Sequence, residues 1–453
     1  MIIIQIKIGE DFMKKIGIVA IAIVAVIGIY YITIGSTQIV EQMKQEINSE
    51  VTQLQKVGFN IKDREVKEKK EHFTVAFDDS KKITNYLKGE NLDINNRDVE
   101  FLKGGEFGID IEYLPTAKDA IAVEIYPTKL PLSMYKELGK ENNKTIKNIE
   151  QMIKDKLFLV HLNINKLSNA FDGYIKDIDK DGFISRGFKF DGKIDNNEVT
   201  NVKQSLELIS YSMGKELDMN ISAFKTDISN ITNDSISVDY NIKSIRFKSE
   251  ENQSILLIAD NIDGILSSDT KKGLYSEQSD FNISSIKYTE NRKETLFQDF
   301  QLSTAVKNIN EKALKKLQNF SSEKLDDKET TKELTDILKK ITTADSSIEI
   351  SNIAIKSITT NGQKIDGFSI NAFGKINRDF DWKQVDKNPM ALLNLLNAKI
   401  NIEASNDIVG MMASNPNMMM IMMLIQPMDK NGKKVFNIEF NKGSLKVNGK
   451  PLM

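Results

Sequence analysis

Few residues of this 453-residue chain are spaced as chemistry would need them. The nearest approach to a ligand loop is Asp177-Ile-Asp179-Lys-Asp181-Gly182, whose alternating carboxylates and turn-forming glycine have calcium-loop spacing. The twelfth position, where a carboxylate closes the coordination shell, is Phe188. Phe188, Phe190 and Ile194 at even positions make the flank strand-like, so an acidic hairpin turn is the competing reading. His72 and His161 are the only histidines, far apart in sequence and each in a strand-like stretch, so no two-histidine site is expected. Cysteine is absent, which removes disulfides, thiolate metal ligands, cysteine nucleophiles and an acylated cysteine anchor. The chain has no Gly-x-Ser-x-Gly elbow and no phosphate-cradling glycine loop. The expectation is a protein that is not an enzyme and holds no cofactor or metal.

Two other clusters have chemical meaning. Met411, Met412, Met418, Met419, Met420, Met422, Met423 and Met428 are eight of the 17 methionines. Thioethers bind Cu(I), but copper motifs intersperse methionine with polar residues and histidine, whereas Ile421, Leu424 and Ile425 lie among these. Core packing is the plainer reading, and an adaptable apolar surface for lipid or a partner is the sharper one. Asn143, Asn220, Asn252 and Asn282 each open an Asn-x-Ser/Thr triplet, two residues after Glu141, Asp218, Glu250 and Asp280 respectively. That is the acceptor pattern of bacterial periplasmic N-glycosylation, and an Asn- and Ser-rich chain also produces it by coincidence.

Positioning these residues falls to three kinds of element. The first is Ile16 to Ile34, an uncharged run that as a helix extends roughly 29 Å and matches the hydrocarbon core of a bilayer. Lys14 and Lys15 precede it, whereas Lys44 beyond it is diluted by Glu41 and Glu46. The lysine bias places the N-terminus in the cytoplasm and the bulk of the chain in the periplasm, as a single-pass protein of the bacterial inner membrane. A cleaved signal peptide competes with this reading, but Tyr30, Tyr31 and Ile32 occupy the zone where small residues precede a cut. Met13-Lys14-Lys15 resembles a natural start, which leaves Met1 and Met13 both open.

The second kind is an amphipathic helix over 36–57, with Ile39, Met43, Ile47, Val51 and Leu54 on one stripe. It packs either on the protein's own sheet or as a short coiled coil. The third is a set of strands with period-two alternation, among them Phe73-Val75-Phe77, Phe107-Ile109-Ile111-Tyr113 and Ile121-Val123-Ile125. Asn361-Gly362, Asn431-Gly432 and Asn448-Gly449 supply tight turns. Some strands change phase midway: Tyr240, Ile242, Ile245 and Phe247 are echoed by Phe281, Ile283, Ile286 and Tyr288. A one-residue slip of this kind flips the buried face, through a bulge in each strand or through a long sheet that passes between packed faces. Helices are expected at Lys144–Lys156, Asn310–Gln318, Thr330–Ile341, Pro389–Asn397 and Ile408–Leu424. The fold class is therefore α+β, mainly β. It comprises a cytoplasmic segment 1–15, a transmembrane helix 16–34, a stalk 36–57 and a β-rich extracytoplasmic domain 58–453, with a subdivision near 200. That domain is read as a large curved antiparallel sheet of bulged hairpins with short covering helices.

Several elements together resemble the YdgA-like family of bacterial inner-membrane-anchored proteins, whose function is poorly defined. The resemblance starts at the anchor and at Thr37-Gln-Ile-Val-Glu-Gln-Met-Lys-Gln-Glu46, running into Leu54-Gln-Lys-Val-Gly58-Phe59. It continues through Leu302 to Leu314, then Pro389 to Ile400, and Phe440-Asn-Lys-Gly443-Ser-Leu445-Lys-Val447-Asn448-Gly449-Lys450. The family's His-Gly-Pro element in the first third is missing, and Tyr126-Pro127-Thr128-Lys129-Leu130-Pro131 stands in its place. The resemblance implies a large β-rich extracytoplasmic domain, groove-shaped like envelope lipid-transfer proteins, and carries over no active-site residues.

At 40% hydrophobic and 28% charged the chain is too apolar for disorder, and a formal charge of −2 gives nucleic acid no footprint. The functional expectation is a non-enzymatic periplasmic protein that touches the inner-membrane bilayer and holds lipid or another apolar ligand in a groove. The alternatives are an anchored scaffold that recruits another envelope protein, and an undetected hydrolase.

Overall fold

A computed structural model describes residues 40–452 except 90–95, 115–117, 139–142, 168, 196–197, 233, 251–253, 319–327, 342–345, 377–393, 395, 414–424 and 442. The apolar run 16–34 lies outside the described residues, among which no helix is long and apolar enough to cross a membrane. The chain forms two compact units, one ending at Ile209 and the other beginning at Ser210.

The first unit opens with α1 (Val40–Lys56). Its stripe of Met43, Ile47, Val51 and Leu54 is buried in the largest core cluster, so the stalk lies on the protein's own sheet. The helix ends where Gly58 takes φ +104°, a conformation that L side chains resist and that turns the chain into β1 (Phe59–Val66). From β1 the sheet runs through β2 (Lys70–Phe77), β3 (Glu106–Tyr113), β4 (Asp119–Lys129), β5 (Val160–Asn165) and β6 (Ala170–Ile175). A small hairpin, β7 (Ile178–Lys180) and β8 (Phe183–Arg186), precedes β9 (Lys189–Asp195), which pairs with β6 and with β10 (Glu198–Ser212). Adjacent strands are antiparallel throughout.

Alternation sorts this sheet cleanly. Phe73, Val75, Ile109, Ile111, Ile121, Val123, Leu162 and Ile164 face α1, while Thr74, Asp110, Glu124 and Asn163 face the other way. α2 (Ser80–Gly89) and α3 (Asn96–Phe101) add Ile83, Leu87 and Val99 to the same core. The side chain of Asp79 caps α2 by accepting the Lys82 amide at 3.1 Å. α4 (Leu132–Leu138) and α5 (Asn143–Lys154) share a smaller cluster built on Leu130, Met134 and Ile153.

The second unit is built of consecutive antiparallel strands: β11 (Asp218–Ser229), β12 (Ser235–Ser249), β13 (Ile255–Lys271), β14 (Leu274–Glu290), β15 (Lys293–Asn310), β16 (Ser347–Thr360) and β17 (Gln363–Ile376). β18 (Leu396–Ala404) follows. The short β19 (Met428–Lys430) pairs with β20 (Lys433–Asn441), which also pairs with β18, and β21 (Ser444–Val447) and β22 (Lys450–Pro451) close the chain. The Asn-Gly turns at 361, 431 and 448 have both central φ angles positive, as type I′ hairpins require. α6 (Glu311–Gln318) and α7 (Lys328–Ile341) pack on the end of β15 through Ile309, Ala313 and Ile337. α8 (Asn406–Ala413) packs against β17 and β20.

The expected mid-strand bulges take a different form. Ile242 pairs with Ile262 and Ser244 with Asp260 in unbroken register, yet Lys243 and Asn261 between them do not pair. The same gap recurs in one row across seven strands, at Ala223, Lys243, Asn261, Ser284, Asp299, Lys356 and Gly367. Ala223, Asn261 and Asp299, on alternate strands, have φ of 50°, 51° and 52°. A bulge lengthens one strand of a pair; here both partners are interrupted together, so register survives while alternation reverses. Exposure follows the reversal. On β12 the exposed positions are 239, 241 and 243, then 246; on β17, after Gln363 at the turn, they are 364 and 366, then 371, 373 and 375. The sheet is creased along this row. Ordinary bulges do occur elsewhere, between Tyr275 and Glu277 and between Ile350 and Ile353.

The segment expected to be a helix over Pro389–Asn397 ends differently: Leu396 and Asn397 open β18, opposite Ile376 and Lys375. Of the remainder of that segment, all but Asn394 lies outside the described residues. Three short helices, α2, α3 and α4, were not expected from the sequence.

Candidate functional site

The outward face of the first unit's sheet brings together residues the sequence keeps apart. Cross-strand pairing aligns His72, Asp110, Glu124, His161 and Tyr174 in one row over five strands. Both histidines therefore share a row, and three strand spacings, roughly 14 Å, separate them. Asp110 is the hub. Its Oδ1 lies 2.6 Å from His72 Nδ1, and its Oδ2 accepts from Tyr126 Oη at 2.8 Å and from Lys156 Nζ at 3.2 Å. Lys156 follows α5 at φ +50° and sets its ammonium 3.6 Å from the Tyr126 ring centroid, a cation–π contact. Gly108 makes this possible, because a Cβ there would stand 2.6 Å from that ring. Further along the row His161 stacks on Tyr174 at 4.9 Å and bonds Asn163 through Nε2 at 3.1 Å.

Burial pushes the Asp110 carboxyl up, but the hydrogen bonds from His72, Tyr126 and Lys156 outweigh it and hold the group below the usual carboxylate range. The unfolded chain therefore takes up this proton at a higher pH than the folded protein does. The resulting stability is complete above the ordinary aspartate value, about 3.9, and is lost as pH falls through the lower folded value. Lys156→Met should reduce stability near pH 7 and flatten the acid limb of the stability–pH curve, measured by chemical denaturation between pH 6 and 2. An unchanged acid limb would remove Asp110 from this role. Asp110 spends its oxygens on its own neighbours, and among the described residues no His, Asp and Glu group is placed to hold a metal ion.

The calcium-loop candidate resolves as a hairpin. Asp181 and Gly182 have φ of 48° and 81°, and the three carboxylates part company. Asp177 accepts the Gly187 amide, Asp179 pairs with Arg186 at 2.6 Å, and Asp181 accepts from Asn148. Among the glycosylation candidates, Asn143 opens α5, Asn220 lies within β11 and Asn282 within β14, where its Nδ2 donates to Asp263; Asn252 lies outside the described residues. Of the methionines, Met411 is exposed and Met412 half-buried on α8, while Met418, Met419, Met422 and Met423 lie outside the described residues.

The second unit carries the larger feature, and the crease creates it. On one side of the crease runs an apolar row of Ile221, Ile245, Ala259, Ile286, Phe297, Ile358 and Ile365. On the other runs Phe224, Ile242, Ile262, Ile283, Phe300, Ile355 and Phe368. Three residues separate the rows along each strand, so ordinary alternation would put them on opposite faces. The reversal puts both on one.

That face continues outward through the rows that begin at Met219, Thr226 and Ile228. Across all five rows from β11 to β17 it contains no charged residue. Charge is collected on the opposite face, for example at Lys225, Asp239, Arg246, Asp260, Asp263 and Asp366. Tyr240 lies across Gly264 and 6.4 Å from Phe281, which meets Phe300 edge-on at 6.1 Å. The charge-free field measures roughly 30 Å along the strands and roughly 30 Å across them. Most of its side chains are half-buried, Ile262 and Ile283 being among the few fully buried. Among the described residues, this unit's helices pack at its margins: α6 and α7 at the end of β15, and α8 beside Phe368, Ile402 and Phe436.

The sequence signals for this face were the apolar phase slips on β12 and β14; nothing in either strand alone showed that its neighbours slip in the same row. No family model, no curated protein and no solved structure matches this chain.

Proposed function

We propose that this is a non-enzymatic envelope protein, held in the inner membrane by residues 16–34, whose second unit binds lipid or another apolar ligand in the periplasm. The charge-free sheet face carries this reading. Contiguous apolar patches on soluble monomers usually reach about 300–600 Å², and a field of these dimensions over whose middle no helix of this unit packs among the described residues is a surface made to be covered. The resemblance to the YdgA-like family points the same way. Direct catalysis has no comparable support in the polar cluster around Asp110, whose carboxylate is taken up by His72, Tyr126 and Lys156.

The test is native mass spectrometry and organic extraction of the full chain purified from its own membranes. Recovery of lipid in stoichiometric amount after detergent exchange is expected, and its retention should fall when Ile283 is changed to Asp. A chain that carries no extractable apolar molecule, with Ile283→Asp indistinguishable from the parent, would retire the reading.

A further inference from the structure

We infer, resting on the lipid-binding reading above, that the sheet face takes the hydrocarbon part of its ligand and leaves the headgroup unread. The two rows flanking the crease present no polar side chain over seven strands, and the residues of both rows are paired from strand to strand, the unpaired positions being confined to the crease line between them. An extended peptide laid across them would bury its amides and carbonyls without partners, at a few kcal/mol for each group. A protein interface of this size would use about ten hydrogen bonds. The face offers hydroxyls from Tyr288, Thr295 and Thr360 in one outer row and Ser279 and Thr304 in the other, with Thr226 and Tyr240 the two in an inner row. A charged headgroup would find no counter-ion in any of the five rows. An alkyl chain needs none of these partners, and rows roughly 29 Å long lie across the strands to receive it. Retention should therefore depend on chain length and not on headgroup.

Two photo-crosslinking lipids with identical diazirine-bearing acyl chains, one phosphatidylglycerol and one phosphatidylethanolamine, separate the possibilities when added to the full chain in detergent. Both are expected to label β12 to β16 within twofold of each other, at residues around Ile262, Ile283 and Phe300. Ile262→Glu should cut labelling by both lipids tenfold or more, whereas Asp263→Lys, which changes charge on the opposite face, should leave it within twofold. Labelling by only one of the lipids overturns the headgroup claim and leaves lipid binding standing. Absence of labelling by either lipid, in a protein whose circular dichroism matches the parent, overturns lipid binding itself. If Ile262→Glu fails to fold, the lipid pair on the parent chain still decides.

Discussion

Arg64→Ala should lower the stability of the first unit by about 3 kcal/mol, because it strands a carboxylate in the core. The Glu71 side chain has no solvent exposure, and Arg64 Nε holds its Oε1 at 2.8 Å. Oε2 accepts from Tyr113 Oη at 3.0 Å, and Arg64 also reaches Asn48 Oδ1 on α1 at 2.8 Å. Burial, followed by the Glu71 charge, drives the Tyr113 hydroxyl well above its ordinary titration range, so it remains a donor at any working pH. Deleting the guanidinium leaves that donor alone against a fully desolvated charge. The partial exposure of Arg64 lets water replace some of the loss, which sets the estimate at the lower end of what breaking a buried pair costs. Replacing both partners, Arg64→Met with Glu71→Leu, should recover most of the difference, because an apolar pair has no charge to desolvate. Hydrogen exchange over α1, β1 and β2 reads the effect locally. If the single change leaves protection there untouched, Glu71 does not depend on Arg64.

Gly367→Ala should destabilise the second unit by more than about 3 kcal/mol through steric overlap that no side chain can relieve. A Cβ at Gly367 would stand 1.7 Å from the Ile355 carbonyl oxygen and 2.6 Å from its carbon, both backbone atoms of the neighbouring strand. Gly374, on the same strand, provides the control: the nearest atom to a Cβ there is Leu396 Cδ1 at 3.4 Å, an ordinary contact. Gly374→Ala should change stability by less than about 1 kcal/mol. Equilibrium denaturation followed by far-ultraviolet circular dichroism compares the two. Equal midpoints would mean that the crease tolerates a side chain at its last strand and is not the constraint described.

Much of the scaffold was visible in the residues. The three Asn-Gly pairs specify type I′ turns because asparagine and glycine accept positive φ, and the stripe of α1 follows from 3.6-residue periodicity over more than four turns. The helices that escaped notice, α2, α3 and α4, are six to ten residues long, too short for periodicity to separate from noise. Leu396 and Asn397 read as the tail of a helix, yet β17 and β20 recruit them as a strand, so tertiary pairing overrode local preference. The row joining His72 to His161 depends on three successive registers, and no spacing within the chain encodes it. The crease was half legible: each phase slip stood in its own strand, but a bulge and a shared fold line differ only in what the adjacent strand does.

The creased sheet has a consequence for how such a chain can change in size. Each hairpin brings its own length of the fold line and its own contribution to the charge-free surface, so strands behave like tiles of common profile. Two strands can be added or removed together with the line still continuous, whereas one residue lost from a single strand would turn half of that tile over and set charge into the hydrocarbon path. Breadth is thus free to vary in steps of roughly 10 Å, while the profile along each strand is fixed.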